Sequence, residues 1–165
     1  MQIDRRIRAA VIATVAIIVL AAAIVSGARW LTAGEPVTVT APPGATETLP
    51  EGAYEPVVDL RFSELHQDLG SDRGRADVRT YAMPPGTTWE QVQSAVAAQL
   101  SGWDQAGDCL DNGRRRLWCT WTEPVEWWPR QVRIVFLRPP SEPDPEQPWP
   151  DNTFLVIGSG PGGNV

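Results

Sequence analysis

Residues 108–119 read DCLDNGRRRLWC and hold the only two cysteines of the chain, Cys109 and Cys119. Asn112-Gly113 lies between them, a dipeptide that closes tight hairpins because both residues tolerate positive φ. A redox pair of the thioredoxin type needs Cys-x-x-Cys, and here nine residues intervene. A zinc site needs about four nitrogen or sulfur ligands. The one histidine, His66, lies in a distant segment. A disulfide across a hairpin satisfies both constraints if the compartment is oxidising. Cys109 and Cys119 are therefore read as a structural staple, with no metal and no cofactor expected.

The compartment is read from residues 9–28, AAVIATVAIIVLAAAIVSGA, which carry no charge. At 1.5 Å per residue a helix of this length crosses the roughly 30 Å hydrocarbon core of a bilayer. Arg5, Arg6 and Arg8 precede the run and Arg29 follows it. The positive-inside rule then keeps the N-terminus in the cytoplasm and puts Trp30 onward outside. A cleaved signal peptide is the alternative, since Ser26-Gly27-Ala28 offers small residues at a cleavage site, but its apolar region is usually shorter. The expected organisation is a cytoplasmic stub (1–8), a transmembrane anchor (9–31), a tether rich in Pro, Thr and Glu (32–56), an extracytoplasmic domain (57–158) and a disordered tail (159–165). The expected localisation is the cell membrane, single-pass.

Within the outer part, residues 77–83 alternate as a strand that Pro84-Pro85-Gly86 ends. Thr87 and Glu90 have the spacing of a capping box. Behind them Trp89, Val92, Val96, Leu100 and Trp103 share one helical face. Strands are expected at 116–122, at 132–136 and at 154–157, with a shorter one at 108–111 completing the cysteine hairpin. The resulting fold class is α+β, a small antiparallel sheet in the order β-α-β-β-β-β with one packed helix. Residues 57–70 read equally as a short helix or as a strand and turn. Arg114-Arg115-Arg116 is read as the solvated end of the hairpin.

The charge is −6 overall, with fourteen arginines and no lysine. Beyond residue 30 ten arginines face nineteen acids. Such a surface repels phosphate backbones, so nucleic acid is not an expected partner. Nucleophile elbows, phosphate-binding glycine loops and Ser-x-x-Lys motifs are absent from the sequence. The chain is therefore expected to be non-catalytic. Trp89, Trp103 and Trp121 are explained as core. Trp127-Trp128, between Glu126 and Pro129, and Trp149, in QPWPD, fall in Pro-rich loops and are the candidate binding residues. Exposed tryptophans serve as anchors at protein interfaces. The expected function is an interaction module of the cell envelope that binds a protein partner. The alternatives are a cell-wall glycan binder using the same tryptophans and, third, an extracytoplasmic hydrolase.

Overall fold

The computed structural model describes residues 2–32, 35–52, 54–70, 74–111, 116–139 and 149–161, with residues 2–6 described by backbone alone. The chain divides into two units, Met1–Ala33 and Gly34–Val165. The first is a single helix, α1 (Gln2–Thr32), which from Ile7 to Thr32 is long and apolar enough to cross a membrane.

The second unit contains helices α2 (Glu55–Leu69) and α3 (Trp89–Ala97) and strands β1 (Asp77–Met83), β2 (Asp104–Gln105), β3 (Leu110–Asp111), β4 (Arg116–Thr122), β5 (Gln131–Leu137) and β6 (Thr153–Gly160). All six strands form one antiparallel sheet in the order β1-β6-β5-β4-β2, with β3 also paired to β4. The α+β class and the antiparallel sheet agree with the sequence. Two features differ from it. A second helix packs on the sheet where one was expected, and β2 is a strand that the sequence reading did not contain.

Strand alternation sorts the side chains into two cores, as the period of two requires. Tyr81, Met83, Leu117, Cys119, Trp121, Val132, Ile134, Phe136, Leu155 and Ile157 line one face, where Val92, Val96 and Leu100 pack on them. Ala82, Val135, Leu137, Phe154 and Val156 line the other, covered by Val58, Leu65 and Leu69 of α2. The domain is a helix–sheet–helix sandwich.

Helix α3 starts one residue later than its sequence signature suggested. Thr88, not Thr87, is the N-cap, accepting from the Gln91 amide while Gln91 Oε1 accepts from the Thr88 amide. Thr87 instead donates its hydroxyl to the Pro84 carbonyl. Both threonines have an amide or acid three residues on, and the one free of the turn after β1 becomes the cap.

The expected tether also behaves differently over part of its length. Residues 37–46 lie against the domain. The Val37 amide donates to Ser159 Oγ at 2.6 Å, Thr40 exchanges two hydrogen bonds with the Gln99 side chain, and Thr46 bridges Ala82 at the edge of β1. Val39 is buried, and Val37, Ala41 and Ala45 pack beside it on the α3 face. These side chains are small, but they cover apolar sheet surface that α3 leaves open.

Ser159 and Gly160, which the sequence placed in the tail, are part of β6, opposite Val132 and Gln131. Residues 162–165 of that tail lie outside the described residues, as do Asn112-Gly113 and Arg114-Arg115 of the hairpin end.

Candidate functional site

The staple is present. Cys109 and Cys119 are disulfide-bonded with Cα atoms 4.5 Å apart, next to the Leu110–Trp118 pair of the β3–β4 ladder. Cys119 is buried in the α3-side core and Cys109 packs against it. The bond ties the short β3 to the long β4, which is its mechanical use.

The candidate binding tryptophans separate into two places. Trp127 and Trp128 occupy the β4–β5 loop, beside Gln131. Trp149 precedes β6, whose first residues pair with the far end of β5. A seven-residue strand lies between the two positions, about 20 Å. Trp149 is half-buried and makes edge contacts with Tyr54 and Phe154, centroids 5.9 and 5.8 Å away. Its indole therefore packs on the α2-side core, apart from the loop tryptophans.

The β4–β5 loop is built to hold one indole outward. At its base Glu123 and Arg130 form a bidentate pair, Arg130 Nε and Nη2 donating to Oε2 and Oε1 at 3.0 and 2.9 Å. The Glu123 amide donates to the Arg130 carbonyl across the same neck. The side-chain hydrogen bond to Glu123 raises the Arg130 pKa above its ordinary value. Inside the neck Trp128 adopts φ 56°, a left-handed conformation that a bulky residue rarely takes. The sharp turn there leaves Trp128 half-buried and Trp127 62% exposed. Val125, two residues away, is also exposed. Trp127 is the one tryptophan of the second unit that is an exposed large apolar residue among the described residues.

A second concave feature was not anticipated. Helix α2 covers β1, β6 and β5 but leaves β4 open on that face, producing a groove of about 470 Å³. Arg116, Trp118 and Thr120 of β4 and Arg133 of β5 form its floor, and Glu64 and Asp68 of α2 its wall. Arg133 donates to Asp68 Oδ2 at 3.0 Å and to Gln131 Oε1 at 3.1 Å. Arg116 lies 3.7 Å from Glu64 and stacks 4.3 Å over the Trp118 ring. Arg116 and Arg133 face Glu64 and Asp68 across the groove, and Glu64 also accepts from Arg61 of α2. The groove's sequence signal is the polar half of two alternating strands, legible only once α2 is known to stop short of β4.

His66 sits on α2 with its ring stacked on Phe62 and is not among the residues lining the groove. No group of three or more His, Cys, Asp or Glu arranged to hold a metal ion occurs among the described residues. No family model, curated protein or solved structure matches the chain.

Proposed function

We propose that this chain is a single-pass membrane protein with a cytoplasmic N-terminus, and that its outer domain is a non-catalytic interaction module of the cell envelope binding a protein partner through Trp127. The observation that carries the reading is the clamped β4–β5 loop. A loop whose base is closed by a bidentate ion pair needs less backbone ordering when a partner covers its indole, which is 62% exposed. Tryptophan is the residue type most enriched among interface hot spots. The apolar α1 and the disulfide support the membrane and extracytoplasmic parts of the reading.

A second reading, glycan binding, is favoured by one observation, the groove in which Trp118 lies among arginine, threonine and carboxylate side chains. Sugars are held by such mixtures of aromatic and hydrogen-bonding groups.

In-cell crosslinking and purification of the tagged full-length chain tests both. The expected result is a discrete protein partner that disappears in a folded Trp127→Ala/Trp128→Ala variant. The same partner in both chains removes the site from this loop. Sedimentation of the chain with purified cell wall, abolished by Trp118→Ala and not by Trp127→Ala, would favour the glycan reading.

A further inference from the structure

Strand β1 ends the sheet, with β6 on one side and, among the described residues, only Thr46 on the other. The amide and carbonyl of Ala82 exchange hydrogen bonds of 2.8 and 3.0 Å with Thr46, so they point outward. Backbone groups alternate between the two edges of a strand, and the β1–β6 register runs unbroken from Asp77 to Met83. Those of Thr80, Val78 and, one step before the strand, Ala76 therefore also point outward. The chain bends at Glu47, so no described residue pairs with Thr80 or Val78 on that side. An open notch of about 280 Å³ lies there, lined by Glu47, Arg79 and Thr80.

A bare strand edge is a template for another strand, and proteins commonly blunt it with charge. This edge carries both signs. Asp77 and Arg79 share the Tyr81 face of β1 and pair within the strand at 3.3 Å, with Glu47 3.9 Å from the Arg79 guanidinium. Toward an unrelated strand these charges are an obstacle. Toward an inverted copy of the same strand they are complementary in one register. With Val78 on a two-fold axis, Val78 faces Val78, Ala76 faces Thr80, and Asp77 faces Arg79 on both sides of the axis. Outward backbone groups then meet outward backbone groups, and the facing pairs of Ala76, Val78 and Thr80 exchange hydrogen bonds. The neighbouring registers are disfavoured. An axis at Arg79 sets Arg79 against Arg79, and an axis at Asp77 sets Asp77 against Asp77, like charges directly opposite each other.

We infer that the outer edge of β1 is a self-pairing surface, which joins two copies of the chain antiparallel about Val78 into one continuous sheet. The inference does not rest on the Trp127 reading, since β6 and β5 separate β1 from β4 in the sheet.

The test uses full-length chains carrying Val78→Cys, expressed together with two different tags and oxidised with copper phenanthroline in intact cells. Residues facing each other in a hydrogen-bonded antiparallel pair have Cα atoms about 5.5 Å apart, within disulfide reach. The expected result is a covalent dimer that contains both tags. Adding Arg79→Asp, or instead Asp77→Arg, sets like charges opposite each other on both sides of the axis and lowers the yield on the order of ten-fold. Co-expressing the Arg79→Asp chain with the Asp77→Arg chain brings the mixed dimer back, which also shows that both variants fold. Three results overturn the inference: no dimer from Val78→Cys, charge variants that dimerise as well as their parent, and charge variants that stay apart when mixed. An adduct joining Val78→Cys to a different protein overturns it in favour of a foreign strand.

Discussion

Two glycines of β6 decide how α2 sits on the sheet. A Cβ on Gly158 would lie 2.6 Å from Leu69 Cδ1, and one on Gly160 would overlap the Leu69 carbonyl oxygen. The absent side chains are what let the end of the helix approach the strand. A flexible leucine tip can move and a backbone carbonyl cannot. Gly160→Ala should therefore destabilise the domain by about 1–3 kcal/mol, read as a lower urea midpoint of the detergent-solubilised chain. Gly158→Ala should cost less. Tyr54 makes a second residue-scale prediction. It is 1% exposed, stacks on Phe154 and donates its hydroxyl to the Pro50 carbonyl. Burial, then the charges of Glu55 and Glu51, raise its pKa above the ordinary value of 10.0. A raised folded pKa means that its contribution is complete below pH 10 and is lost as pH rises past it toward the folded value. The urea midpoint should fall above pH 10, and Tyr54→Phe should flatten that fall.

At the scale of elements, the cysteine hairpin, β1, β4, β5 and α3 were legible because their signals are local. Alternation and a capping pattern act over a few residues. Helix α2 was ambiguous because its buried stripe is sparse. Val58, Leu65 and Leu69 face the sheet, whereas Leu60 and Phe62 are exposed. Pro56 in the first turn was its clearest start signal. Residues 37–46 and Gly158–Gly160 were misjudged for a shared reason. Composition rich in Val, Thr, Ala, Gly and Ser resembles a linker, and only long-range partners distinguish a docked strap or a glycine-lined strand from one. That two adjacent tryptophans before Pro129 cannot both point inward was legible; which of them is exposed was not, since it depends on the left-handed φ of Trp128. The separation of Trp149 was not, since it depends on the pairing of β5 with β6. The staple gives the prediction at this scale. Cys109→Ser/Cys119→Ser should lower stability by about 2–3 kcal/mol through the larger freedom of the unfolded chain. Reduction of the wild type should give the same shift in urea midpoint.

The whole molecule joins an apolar helix of membrane-spanning length to a disulfide-stapled sandwich that presents one exposed indole. The partner, the value of the disulfide and the role of Trp127 all depend on the domain lying outside the membrane. The most direct measurement is therefore protease shaving of intact spheroplasts expressing the chain with a C-terminal tag, paired with alkylation of its cysteines before and after reduction. The account predicts that the tag is removed from intact spheroplasts, leaving a short membrane-bound fragment, and that both cysteines resist alkylation until reduced. A tag protected until lysis, with cysteines alkylated without reduction, would place the domain in the cytoplasm and contradict it.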